Sequence, residues 1–177
     1  MKVICFGDSN TYGYDPRSWF GGRYDTGHRW VDIIAVETGW KVCNMGMNGR
    51  AIPSSAPTFP ADTDLLIVML GTNDLLQGRS PEKAANKLEN FLSSLSLKPN
   101  QILLIAPPPM SFGEWVASQQ LIDDSHTFAG YCQSLAQRLA TNFVNAEDWD
   151  IPLAYDGVHF TEQGHRAFAE KLLEALR

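Results

Sequence analysis

Short apolar runs alternate along the chain with longer stretches whose apolar residues recur every three or four positions. This is the pattern of a parallel sheet linked by crossover helices. The runs predict strands at Val3–Phe6, Lys41–Met45, Leu65–Leu70, Ile102–Ala106 and Phe143–Asn145. Leu65 to Leu70 is apolar without a break, which suits a central strand covered on both faces. Helical spacing predicts His28–Thr38, closed by Gly39 as a left-handed cap. A second helix opens at Ser80-Pro81 and carries Ala84, Leu88, Phe91, Leu92 and Leu95 on its buried face. A third spans Asp124–Ala140 with Phe128, Tyr131, Leu135 and Leu139 on one side. Thr161 caps the last, whose buried stripe is Phe168, Leu172, Leu173 and Leu176.

Three connections are long: Thr11–Gly27, Met47–Asp62 and Pro107–Asp123. Ordered loops of that length usually form the walls or lids of a site. No repeat, low-complexity tract or linker interrupts the 177 residues, so a single α/β domain over residues 1–177 is expected. A formal net charge of -6 argues against nucleic-acid or anionic-membrane partners, both of which need a basic field. No run approaches the roughly 18 apolar residues that span a bilayer. Met1-Lys2 leads straight into Val3–Phe6, too short for the apolar core of an export signal, so a cytoplasmic location is expected. Cys5 and Cys43 lie inside apolar strand-like runs and read as buried free thiols. No cysteine sits in a loop beside a basic residue, which disfavours a thiolate nucleophile.

Candidate chemistry gathers where the strands end. Ser9 follows the first strand in Gly7-Asp8-Ser9-Asn10-Thr11, and Gly7 permits a sharp exit over the sheet edge. Asp156-Gly157-Val158-His159 lets a carboxylate fold back onto imidazole Nδ1, leaving Nε2 free to take a hydroxyl proton. Gly46 offers a backbone N–H unobstructed by a side chain, and Asn73 offers an amide; both donor types suit a developing oxyanion. Each of these alone has a plain structural reading: Ser9 as a turn residue, Asn73 as a cap, Asp156 as an Asx-turn before a surface histidine. Together they supply a nucleophile, a base and its orienter. His28, His126 and His165 lack such neighbours and read as structural or exposed. Asn10, Tyr12, Trp115 and Phe160 are the candidate pocket residues, with Tyr14, Trp19, Phe20 and Phe112 as further aromatic wall. Arg29 and Arg50 are expected to pair with loop carboxylates rather than touch substrate.

Gly7-Asp8-Ser9, Gly46, Gly71-Thr72-Asn73-Asp74 and Asp156-Gly157-Val158-His159 resemble the four sequence blocks of the SGNH (GDSL-type) hydrolase family in order and spacing. Gly7 to Tyr14, Arg29-Trp30, Met69 to Asp74, Pro107-Pro108-Pro109 and Gly157 to Thr161 are similar in style to its small bacterial arylesterase/acyltransferase members. The resemblance implies a three-layer, flavodoxin-like α/β fold whose five parallel strands run in the order 2-1-3-4-5. It implies Ser9 as nucleophile, Asp156 and His159 as the base pair, and Ser9, Gly46 and Asn73 as oxyanion donors. A small-molecule ester is the implied partner, short acyl or aryl, with no metal and no organic cofactor. Acetylated sugars, thioesters and acyl transfer to an alcohol use the same geometry, and self-association into a homo-oligomer stays open. Two departures stand out: Asn10 replaces the usual leucine after the serine, and the long loops are shorter than in acyltransferase members. Two other classes fit the sequence less well. Asp8 superficially resembles the nucleophile of magnesium-dependent phosphatases, yet Asn10 stands where their second acid is expected. A non-catalytic binding module on this fold has no support in any missing role.

Overall fold

The computed structural model describes residues 1–18 and 20–177. Five parallel strands form one sheet: β1 (Lys2–Gly7), β2 (Lys41–Gly46), β3 (Leu65–Met69), β4 (Ile102–Ala106) and β5 (Asn142–Asn145), in the order β2-β1-β3-β4-β5. Among the described residues six α-helices lie between or after them: α1 (Ser9–Tyr12), α2 (Trp30–Thr38), α3 (Thr72–Leu76), α4 (Pro81–Ser93), α5 (Gln119–Leu139) and, following β5, α6 (Glu162–Ala175). Among the described residues no helix is long and apolar enough to cross a membrane.

Side-chain alternation along the strands builds a core on each face. Ile4, Phe6, Leu66, Val68 and Leu104 pack toward α4 and α5, meeting Leu88, Phe91, Phe128 and Leu135. Val3, Cys5, Ile67, Met69, Leu103 and Ile105 face α2 and α6, meeting Trp30, Ile34, Phe168 and Leu172. Helix α4 starts as its sequence dictates, with Ser80 Oγ accepting from Lys83 N and Pro81 at the first position.

Several boundaries differ from expectation for local reasons. Helix α5 begins at Gln119, not Asp124, because Ser118 caps it; the connection before it is correspondingly shorter. On that helix Cys132 fills the core position and Tyr131 is exposed. Helix α2 begins at Trp30, after a turn in which His28 N–H donates to Asp25 O. Cys43 is exposed, against expectation, because β2 is an edge strand covered unevenly; the buried thiols are Cys5 and Cys132.

Register decides where the site forms. Gly7 pairs with Gly46 on one side and Met69 on the other, so β1, β2 and β3 end level. The strands are added to one side of β1 (β2) and then to the other (β3 onward), and this switch in connection direction opens a crevice at the carboxyl ends of β1 and β3. Asp74, fully buried, ties the flanking loops together: it accepts from Ile52 N–H at 2.7 Å, Lys87 Nζ at 3.1 Å and Arg79 Nε at 3.2 Å. Replacing it with alanine strands a buried N–H, so Asp74→Ala should lose roughly 2 kcal/mol of stability. Asp74→Asn, which keeps an acceptor oxygen for Ile52, should recover much of that loss; urea midpoints at unchanged slope are the measurement.

Candidate active site

Ser9 opens α1, a four-residue helix that the strand pattern alone does not reveal. Its signals are nonetheless local: Asp8 accepts from Asn10 N–H at 3.0 Å as the N-cap, and Gly13 closes the turn in the left-handed region. Helix α3 is its counterpart after β3 and carries Asn73 in its first turn. Both short helices lift their polar side chains over the sheet edge.

The Asp156 turn is self-contained. Gly157 has φ +80, and a Cβ there would come within 2.1 Å of Ser111 O, so only glycine fits. The turn lets Asp156 Oδ1 accept from the N–H groups of Val158 and His159, both at 2.9 Å, while Oδ2 lies 2.6 Å from His159 Nδ1. His159 Nε2 then stands 2.9 Å from Ser9 Oγ. Burial works to raise the Asp156 carboxyl, but the His159 side chain and the His159 and Val158 N–H groups outweigh it and hold the group below its ordinary value. With a carboxylate on Nδ1, that nitrogen carries the proton and Nε2 is free to accept one from the serine.

This chain of hydrogen bonds borders a cavity of about 280 Å³. Ser9, His159, Asn73, Asn48 and Gly49 give it polar edges, and Tyr14, Leu76, Trp115 and Val158 give it apolar walls. The rings of Tyr14 and Trp115 lie 4.6 and 4.9 Å from the imidazole of His159, flanking it. Among the described residues no group of His, Cys, Asp and Glu is arranged to hold a metal ion.

The structure brings Ser9, Asp156, His159, Asn73 and Trp115 to one place, but not every expected residue joins them. Gly46 is the main correction. Its N–H donates to Asn44 Oδ1 at 2.9 Å, and it does not line the cavity. What requires glycine there is α1: a Cβ would lie 2.0 Å from Tyr12 N. Three residues on, within a turn in which Arg50 N–H donates to Met47 O, Gly49 reaches the cavity instead. Its N–H and that of Ser9 have no protein acceptor among the described residues. Gly49 was legible only as one of several loop glycines.

Phe160 is buried on the α2/α6 side of the sheet against His165 and Phe168, so it walls no pocket. Tyr12 stacks under the Arg23 guanidinium, 4.3 Å from its carbon. Asn10 is buried and turned toward the backbone around His159. Phe20 and Phe112 are exposed outside the cavity lining, and Trp19 lies outside the described residues. Arg29 pairs with Asp32 within its own helix turn. Among the described residues Arg50 pairs with no carboxylate: it donates to Gly7 O at 2.9 Å and to Met45 O, with its guanidinium over the Phe6 ring. His28, half-buried, and His126, exposed, lie beside Glu162 and Glu147, whereas His165 is fully buried and burial drives its pKa down to about 3.

Asp8, beside the nucleophile, is also buried, and desolvation pushes its carboxyl up to about 6 against the opposing Asn10 N–H, His159 and Arg50. The folded state therefore binds this proton more tightly than the unfolded chain, whose carboxyl titrates near 3.8. Its contribution is complete below pH 3.8 and is lost as pH rises through about 6. Asp8→Asn should accordingly be more stable than wild type at pH 7 to 8 by up to about 3 kcal/mol. The gain should shrink to nothing as unfolding is measured at successively lower pH toward 4.

Comparison with known proteins addresses the family and the fold. Residues 5–167 match the model of the GDSL-like lipase/acylhydrolase family. A putative arylesterase from Agrobacterium tumefaciens str. C58 superposes with TM-score 0.81 at 29% identity, covering 99% of this chain and 98% of that one. The native aryl esterase of M. smegmatis gives TM-score 0.81 at 25% identity, with the same coverage of each chain. A carbohydrate acetylesterase family member from Sinorhizobium meliloti, at 23% identity and TM-score 0.81 over 99% of this chain and 97% of that one, shares the fold. No curated protein sequence matches the chain. With the family model spanning nearly its whole length, this chain belongs to the GDSL-like lipase/acylhydrolase family and is a carboxylic ester hydrolase of that type.

Proposed function

We propose that the protein hydrolyses small neutral carboxylic esters, short acyl or aryl, through an acyl-serine intermediate on Ser9. The observation that carries this reading is the unbroken run of hydrogen bonds from Ser9 Oγ through His159 to Asp156, bordering a half-apolar cavity. Ser9 Oγ attacks the ester carbonyl while His159 Nε2 takes its proton, and Asp156 stays ionised to balance the imidazolium. The carbonyl oxygen becomes an oxyanion held by the Ser9 and Gly49 N–H groups and the Asn73 amide. His159 returns the proton to the departing alkoxide. It then deprotonates a water that attacks the acyl-serine, releasing the carboxylic acid and restoring the serine.

Gly49 takes the donor role in place of Gly46 because its N–H is free at the cavity, whereas that of Gly46 is spent within the loop. The walls of Tyr14, Leu76, Trp115 and Val158 favour an apolar or aromatic substituent. Among the described residues no lysine or arginine lines the cavity, so an anionic substrate would find no counter-charge there. Two of the similar structures are named as aryl esterases, which supports the same substrate class.

Purified wild type should react with a fluorophosphonate at Ser9 and hydrolyse p-nitrophenyl acetate. Ser9→Ala should lose labelling entirely and retain only the residual catalysis of the oxyanion donors. Asn73→Ala should stay folded and lose about 10²–10³ in kcat. Hydrolysis by Ser9→Ala within tenfold of wild type would overturn the nucleophile assignment. p-Nitrophenyl hemisuccinate should be at least about tenfold poorer in kcat/KM than the acetate, since its carboxylate must be desolvated without a partner.

A further inference from the structure

Asn10 was expected in the pocket and is instead bonded on either side of the proposed base. Its Nδ2 donates to Val158 O at 3.0 Å, and its Oδ1 accepts from Phe160 N–H at 2.9 Å. These two backbone groups bracket His159. The asparagine is itself held fast: its N–H donates to Asp8 Oδ1 at 3.0 Å, and its C=O accepts from Trp30 Nε1, a fully buried indole, at 2.9 Å. We propose that Asn10 is a positioning residue that joins the nucleophile's helix to the backbone of His159 and so sets the Ser9–His159 distance. This inference rests on the acyl-serine reading above.

Two nearly independent bodies meet at that hydrogen bond. The Asp156–His159 turn carries its own internal bonds and is anchored to the segment before α5: Ser111 N–H donates to Gly157 O, and Trp115 N–H donates to Asp156 O. The other body is α1, fixed by its Asp8 cap and by Asn44 Nδ2 donating to Thr11 O. Among the described residues, the only hydrogen bonds from α1 to residues 156–160 are the Ser9–His159 bond and the two made by Asn10. A single hydroxyl–imidazole bond cannot both define the alignment and be remade at each turnover. The two amide bonds persist while the proton moves.

The chemistry of the position accounts for the residue. Val158 O needs a donor and Phe160 N–H needs an acceptor, and a carboxamide one methylene from the backbone supplies both. Aspartate keeps the acceptor and sets an oxygen against the Val158 carbonyl. Leucine, the residue usual at this place in the wider family, matches the size but would leave both buried groups unpaired in this structure.

The test compares wild type, Ser9→Ala, Asn10→Asp and Asn10→Leu as purified full-length proteins. Aspartate is isosteric and guards against loss of fold in the leucine variant. Steady-state hydrolysis of p-nitrophenyl acetate, the rate of fluorophosphonate labelling and the low-field proton resonance of His159 Nδ1–H are measured on each. Both Asn10 variants should lose about 10²-fold in kcat and in labelling rate, the scale expected for a shift near 1 Å in a reacting pair. KM should stay within about threefold, because Asn10 does not line the cavity. The low-field resonance should persist, because the Asp156–His159 bond is made within its own turn. A folded Asn10→Asp with kcat within threefold of wild type overturns the inference. So does a loss of rate that comes with a matching rise in KM, or with disappearance of the Nδ1–H signal. If wild type itself shows no Ser9-dependent hydrolysis or labelling, the proposed function fails and takes this inference with it. Ser9-dependent activity indifferent to Asn10 overturns this inference alone.

Discussion

The hydrogen bond between Ser9 Oγ and His159 Nε2 spans 150 residues of chain, and most of the architecture can be read as what that contact requires. Two segments so far apart in sequence have no local reason to meet. Parallel pairing supplies one: every strand points the same way, so every strand-to-helix loop leaves from the same edge. Because β1, β2 and β3 end level at Gly7, Gly46 and Met69, the loops that follow start from one line and converge. The switch in connection direction on either side of β1 opens the gap into which they turn.

Convergence alone would leave the parts loosely aimed, and the polar groups just behind the cavity supply the aim. Asn44 uses its side chain twice, accepting from Gly46 N–H and donating to Thr11 O, and so draws α1 against the end of β2. Arg50 does the same for the loop beyond, donating to backbone carbonyls at the ends of β1 and β2 while its guanidinium lies on Phe6. Asp74 holds Ile52 from the other side. None of these residues lines the cavity, yet each fixes a segment that does. Holding the surrounding shell rigid in this way is what keeps a first layer of groups in working geometry.

The same shell concentrates buried charge. Asp8, Asp74 and Asp156 are almost completely shielded from solvent, and each meets that cost differently. Asp74 has two cationic partners and a backbone donor. Asp156 accepts two backbone N–H groups and the imidazole. Asp8 has one backbone donor and only more distant positive groups, and its carboxyl is pushed up. The carboxyl facing the histidine is held below its ordinary value, where an imidazolium needs an ionised partner.

Much of this could be read before any coordinates. The apolar runs marked all five strands to within a residue at each end, and the Ser80-Pro81 and Thr161 caps placed two helix starts, because periodicity and capping are local properties. The residue types at the strand ends were likewise an inventory that the sequence states outright. What it left undecided was direction. Spacing along a chain says how far a residue lies from a strand end but not which way the loop has turned by then. Gly46 still belongs to its strand and gives its N–H to Asn44, while Gly49, three residues further, has come round to face the cavity. Phe160 follows His159 directly and yet is buried in the core on the α2/α6 side, because the chain bends through residues 157–159 before it. Asn10, next to the serine, faces the backbone around the histidine rather than the cavity. The elements and the chemical parts were thus written in local sequence, whereas the choice among neighbouring residues belonged to the tertiary structure, because it depends on where distant backbone groups come to rest.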